Sequence, residues 1–421
     1  MSLILRLSYK TPLYFIFVFA LFVDVLNGYF QQILKIEPFF PLLYKGFVII
    51  YLSKYLFALK SSLSVVVRYI ICLFVILLLY WTMVFGRSNY MYDISSFLKI
   101  IYAYFVLLYL IYYKELLSER TIINFVLFYG VFTAIFVILG FFGGFGTGSY
   151  SEASFGNKGF FIAGNDIGLT MLIVNCMACF SYLSYKKSCY LLCVFIISAG
   201  NVLLGTFTGV GGTFIILVSF LIAIYFVSFK DYKSSNKIRV FTAIFLFLIL
   251  TPVINLFVYI ATYDSYMLDK FSSISELLFE NKARETLTDA AISILSKYSF
   301  GDWMLGKGSE FFALMADQIG AYRMSFRAVE QDIFDIIGPY GILLGFPLII
   351  FPFYVLSKSI MYFLKTHFLF YYWASVALTI YCGHGVYAGH ALTSIQPSTV
   401  IVAIAALVLR SIPVEKMHIN N

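Results

Sequence analysis

Long continuous apolar runs, separated by short connectors rich in lysine and arginine, constrain this chain more than any other feature. Runs of this kind recur near 12–30, 38–58, 64–85, 97–113, 121–142, 159–183, 188–206, 209–229, 239–261, 332–356, 368–383 and 395–411. A segment of about 20 apolar residues makes a helix long enough to cross the ~30 Å hydrocarbon core of a bilayer. Strands of a membrane barrel would instead alternate over about 10 residues, and no such alternation is present. Only 12% of the residues are charged and mean hydropathy is +0.92, against about 25% charged residues in a soluble domain. The expected fold is all-α: a polytopic membrane protein of about 12 transmembrane helices. By sequence order it divides into helices one to nine over 1–261, a large polar loop over 262–331, and three last helices over 332–421.

The net charge of +8 does not indicate nucleic acid, because the basic residues are dispersed in the connectors. If the N-terminus is cytoplasmic, the inner segments carry Arg6 and Lys10, Lys54, Lys60 and Arg68, Lys114 and Arg120, and Lys186 and Lys187. Lys230, Lys233, Lys237 and Arg239, then Lys358 and Lys365, and finally Arg410 and Lys416 continue the series. The short outer connectors carry only Lys35, Arg87 and Lys158. Cytoplasmic loops attract positive charge, so both termini are expected inside. Arg6 and Lys10 precede a long apolar run with no small-residue cleavage site, so the first helix is expected to be retained.

The polar stretch 262–331 is expected on the outer side. Within it Leu287, Ala291, Ile294, Leu295 and Tyr298 recur at helical spacing and predict an amphipathic helix against the bundle. Charges inside apolar runs cost roughly 2.5–3.5 kcal/mol each on insertion scales. Asp24, Lys45, Lys99 and Asp166 all fall in the outer half of their runs, which is compatible either with structural pairing or with a polar cavity open to the outside. The loop adds Arg284, Arg323 and Arg327, whose guanidinium forks match phosphate oxygens. If the segment from Arg323 to Asp335 is helical, Arg323, Arg327 and Glu330 share one face, with Asp332 and Asp335 on another. Three carboxylates, Glu330, Asp332 and Asp335, then crowd the mouth of a lipid-buried helix, and one of them is expected to do chemistry or to hold the arginines.

Other motifs are weaker. Gly301 to Lys307 imitates a phosphate loop, but Gly308 follows the lysine where Ser or Thr is required. Cys176, Cys179, Cys189 and Cys193 read as small lipid-compatible residues rather than zinc ligands, since no His or carboxylate lies nearby in sequence. His384 and His390 fall in the last outer connector and read as interfacial histidines.

Several elements together resemble the bacterial O-antigen polymerase and O-antigen ligase superfamily, most strongly over about residues 155–420. Gly159-Phe160 followed by Asn165-Asp166-Ile167-Gly168 resembles its element opening a middle helix. Arg284, the amphipathic helix and Gly306-Lys307-Gly308 resemble its pattern of Arg, helix and Gly-x-Gly in a periplasmic loop. Glu330-Gln331 before Gly341 and Gly345 falls where ligases carry His-Asn. The resemblance implies a GT-C-like architecture and a metal-independent enzyme of the inner membrane without a cofactor. Its donor would be an undecaprenyl-pyrophosphate-linked oligosaccharide, and a chain-length regulator protein would be a partner. It assigns the pyrophosphate to Arg284, with Lys158 where relatives often carry Arg; Lys99, Lys45, Arg323 and Arg327, read from their placement and residue type rather than from the resemblance, are further candidate cations. Glu330 in place of the ligase histidine favours polymerase over ligase. The basic residue that relatives often show before helix eight is Thr206-Phe207-Thr208 here. A lipid-linked oligosaccharide flippase is the rival from another class, and the absence of two related halves speaks against it.

Overall fold

The computed structural model describes residues 9–36, 40–85, 90–149, 156–230, 282–320 and 328–410. Helices occupy the expected places: α1 Tyr9–Leu34, α2 Phe40–Ala58, α3 Ser62–Phe85, α4 Tyr90–Tyr112, α5 Glu119–Gly143, α6 Gly164–Tyr185, α7 Ser188–Leu204 and α8 Phe207–Lys230. After them come α9 Lys282–Leu295, α10 Phe300–Leu305, α11 Glu310–Gln318, α12 Asp332–Thr366, α13 Leu369–Tyr387 and α14 Ile395–Leu409. The expected helix at 239–261 lies outside the described residues. Among those residues the β structure amounts to one isolated bridge, Gly148 to Asn157. Among the described residues six helices (α1, α3, α4, α5, α6 and α12) are long and apolar enough to cross a membrane. Helices suit lipid because each backbone N–H and C=O is satisfied within its own segment.

The chain divides into two compact units, each discontinuous in sequence. Unit 1 takes Met1–Ala20, Phe39–Ile122 and Glu280–Asn421, and unit 2 takes Leu21–Pro38 and Ile123–Phe279. Unit 2 is organised around α6, which is buried without interruption from Ile167 to Leu183. Such a helix has no polar face because neighbours cover it all round. Small residues bring those neighbours close: a side chain at Gly130 would strike Val174, and one at Gly212 would strike Leu172. Asn175 donates to the Ser198 hydroxyl at 3.0 Å, a polar tie between α6 and α7. The glycine-crowded connection near 200–212 resolves into a two-residue turn. Gly205 adopts φ 72° to end α7, and the Thr206 hydroxyl accepts the Gly209 N–H at 3.2 Å to start α8.

In unit 1 the packed pairs are α12 with α13, α4 with α14, and α2 with α4. The amphipathic helix expected in the polar stretch is α9. Leu287, Ala291, Ile294, Leu295 and Tyr298 are all buried, and they cluster with Phe311, Phe312 and Met315 of α11 and with Val329. Fully burying a residue such as Leu or Phe contributes roughly 1.5–3 kcal/mol, so this small core favours the packing of α9 against α11.

Candidate functional site

The site forms where the chain turns into α12. Gln331 is extended, with φ −141° and ψ 121°, and Asp332 begins the helix. Asp335, one turn in, reaches back over the helix start. One of its carboxylate oxygens accepts the Val329 N–H at 2.8 Å and the other accepts the Glu330 N–H at 3.1 Å. With both oxygens engaged, the carboxylate neutralises two amide donors that would otherwise be orphaned beside a helix N-terminus. Glu330 is thereby held in the left-handed region at φ 66°, which costs a residue other than glycine about 1–2 kcal/mol. Its side chain is partly exposed, whereas Asp332 and Asp335 are buried.

The connection between α13 and α14 runs along this turn. A Cβ at Gly389 would sit 2.3 Å from the Glu330 carbonyl carbon, and one at Gly385 would sit 2.6 Å from an Asp332 carboxylate oxygen. That same oxygen accepts the Leu392 N–H at 2.9 Å. His390, between those anchors, adopts φ 62° and lies within electrostatic reach of Asp335. Glu330, Asp332, Asp335 and His390 therefore meet in unit 1. His384 joins them in sequence but not as expected: it is a buried residue inside α13 rather than part of the connector.

The helix expected from Arg323 to Asp335 needs correction over 328–331, which are not helical. The Asp335 clamp and the left-handed Glu330 stop α12 from extending backwards. Asp332 and Asp335, expected as alternative bases, both have carboxylate oxygens committed to backbone amides.

A second contact fixes the folded part of the polar stretch on α12. Gly341 interrupts that helix at φ 65°, ψ −176°, which leaves the carbonyls of Gly338 and Pro339 open. The Lys307 N–H donates to Gly338 O at 3.2 Å and the Gly308 N–H to Pro339 O at 2.9 Å. Tyr298 adds its hydroxyl to Gly338 O at 2.9 Å, and the Trp81 indole donates to Gly306 O at 3.1 Å. The sequence that imitates a phosphate loop is thus a docking turn. Its lysine lies 3.5 Å from Asp302 and 5.0 Å from the centre of the Tyr298 ring. Burial raises the Asp302 carboxyl, but the Ser299 amide and hydroxyl and the Lys307 charge outweigh it and hold the group below the usual carboxylate range. Burial pushes the Tyr298 phenol up, and Asp302 and Glu310 push it further. Beneath the turn, the Ser309 hydroxyl donates to buried Asp93 at 3.0 Å.

The cations fare unevenly. Arg284 lies in the first turn of α9, in unit 1. Arg323 and Arg327 lie outside the described residues. Lys45 on α2 is partly buried and Lys99 on α4 is exposed, both in unit 1. Asp24, Lys158 and Asp166 belong to unit 2, so the four charges expected to share a depth, Asp24, Lys45, Lys99 and Asp166, are not gathered within either unit. Lys158 sits on a pinned hairpin: its N–H donates to Thr147 O at 3.1 Å and the Asn157 N–H donates to Leu203 O at 3.1 Å. Burial lowers the Lys158 ammonium from its ordinary value. A pocket lined by Tyr104, Pro352, Tyr381, Leu392 and Ser398 has a volume of about 30 Å³, room for about one water, and is too small for a lipid tail.

Sequence reasoning passed over Asp93, and it read Lys307 as part of an imitation phosphate loop and His390 as an interfacial histidine. A carboxylate in the first turn of an apolar helix was the available signal for Asp93. No family model, curated protein or solved structure matches the chain.

Proposed function

We propose that this chain is a membrane glycosyltransferase of the O-antigen polymerase type, acting on oligosaccharide repeat units linked to undecaprenyl pyrophosphate at the outer face of the inner membrane. The observation that carries the reading is Glu330: a partly exposed carboxylate, held in a costly backbone conformation by a buried carboxylate on one side and a glycine contact on the other. Strain of this kind persists only where surrounding structure imposes it, and it concentrates at functional sites.

In the proposed reaction an acceptor sugar hydroxyl attacks the anomeric carbon of the donor. The bond from that carbon to the pyrophosphate oxygen breaks, and the polyprenyl pyrophosphate leaves with the bonding pair. Glu330 takes the hydroxyl proton. Asp335 and Asp332 position Glu330 and the turn that carries it. Arg284, Arg323 and Arg327 supply charge for the leaving pyrophosphate, a role that rests on their residue type and the family resemblance.

The test uses purified full-length protein, lipid-linked repeat units and EDTA, with no ATP and no lipid A. A polymerase builds a ladder of lengthening chains. Glu330→Gln keeps the shape, removes the charge and should cut the rate about 100- to 10,000-fold, the usual worth of a general base. Wild-type protein that makes no ladder but moves the lipid-linked unit between leaflets is a transporter. A ladder that persists in Glu330→Gln removes Glu330 from the chemistry.

A further inference from the structure

One end of unit 1, where α1 begins and α2 and α4 finish, is built from tyrosine and lysine. Tyr55 packs on Tyr109, Tyr112 and Tyr113 with ring centres 5.4, 5.2 and 5.6 Å away, and Tyr9 lies 5.9 Å from Tyr113. The Tyr109 hydroxyl ties the cluster to the Tyr9 carbonyl. Two lysines rest on this platform. The Lys54 ammonium stands 4.3 Å from the Tyr51 ring centre and 5.1 Å from that of Tyr55, and Lys10 stands 5.9 Å from Tyr9. Neither makes an ion pair among the described residues. Ring faces attract cations but do not neutralise them, so the platform holds positive charge in place.

Below Lys54 the same helix face turns apolar. Leu43, Phe47, Ile50 and Lys54 follow at four-, three- and four-residue steps and so share one stripe of α2. Leu43 is 70% exposed, Phe47 53% and Ile50 74%. Phe15 of α1 widens the stripe, 6.0 Å from Phe47 and 6.3 Å from Tyr51. From Leu43 to Lys54 the helix rises roughly 16 Å. That is about one leaflet of a ~30 Å hydrocarbon core. A fixed cationic head platform above an apolar track one leaflet long is the complement of an anionic lipid.

We propose that this face binds an anionic phospholipid, its phosphate at Lys54 and Lys10 and an acyl chain along Ile50, Phe47 and Leu43. The site is independent of the catalytic reading. Thermal unfolding of the full chain is followed in neutral detergent with added phosphatidylglycerol, phosphatidylcholine, polyprenyl phosphate or inorganic phosphate. Phosphatidylglycerol should raise Tm more than phosphatidylcholine does, and inorganic phosphate should do nothing because it lacks the chain. Each lysine near an anionic surface contributes roughly fivefold in affinity, so K10Q/K54Q should weaken phosphatidylglycerol binding about 30-fold while leaving Tm without lipid unchanged. Raising salt from 0.05 to about 0.5 M should weaken wild type and not the double variant. Equal stabilisation by the two phospholipids overturns the proposal. So does an undiminished response in K10Q/K54Q, or a response to polyprenyl phosphate alone.

Discussion

Glu330 is the residue at which backbone conformation and proposed chemistry meet. Its φ of 66° makes an unusual ordering of variants testable. Glu330→Ala and Glu330→Gly both delete the carboxylate, so both should be inactive. In an ordinary position glycine is the less stable of the two, by roughly 0.5–1 kcal/mol. Here alanine retains the left-handed penalty of about 1–2 kcal/mol and glycine does not. Glu330→Gly should therefore be more stable than Glu330→Ala, by up to about 1 kcal/mol in denaturant or thermal unfolding. The reverse order would mean that the turn relaxes out of this conformation and that the Asp335 clamp does not hold it. Sequence reading put Glu330 first among the carboxylates at the helix mouth, with Asp332 and Asp335 in reserve. What it could not show is that the other two carboxylates are bound to backbone amides.

Among the elements, the join between the Gly306–Gly308 turn and the interruption of α12 decides where the folded part of the polar stretch sits. Gly306 and Gly341 both have positive φ with ψ near 180°, a region open essentially to glycine alone. They also face each other: a Cβ on Gly306 would come 2.2 Å from Pro339 O, and one on Gly341 would come 2.4 Å from Met304 O. Gly306→Ala should cost about 3 kcal/mol or more at this join, from backbone strain plus the collision. The expected signature is faster proteolytic cleavage between residues 296 and 320, with helix content by circular dichroism nearly unchanged. Cleavage at the wild-type rate would show that α9 and α11 are held by their own apolar contacts rather than by this turn. The amphipathic character of α9 was legible from its apolar spacing. The break in α12 was not, because Gly341 stands in a run that reads as uninterrupted helix and Pro339, Pro347 and Pro352 all lie within that same helix.

At the scale of the whole molecule, the alternation of basic connectors makes a prediction that the helices alone do not. Reporter fusions after Lys187 should read cytoplasmic, and a fusion at Ser309 should read periplasmic. A cytoplasmic signal at Ser309 would put the turn at Glu330 on the wrong side for a lipid-linked donor and would remove the proposed function with it. The two compact units also show what chain order conceals. Residues 9–20 group with the described residues from 282 onward, so segments that read as distant belong to one body.

The sequence by itself determined where the described helices lie; it led to an expectation of about 12 spans, of which six described helices are long and apolar enough to cross a bilayer. It also determined that a helix in the polar stretch buries Leu287, Ala291, Ile294 and Leu295. These follow from local causes: an apolar run must satisfy its own backbone, and a 3.6-residue period marks the face to be buried. Tertiary structure alone decided what these acidic residues touch. Asp332 meets Leu392, Glu330 meets Gly389, and Asp93 meets Ser309. Each pair is separated by about 60 residues or more, so no local pattern encodes it. Whether a buried carboxylate is a base or a clamp depends on which amides reach it, and for Asp332 that amide comes from another part of the chain.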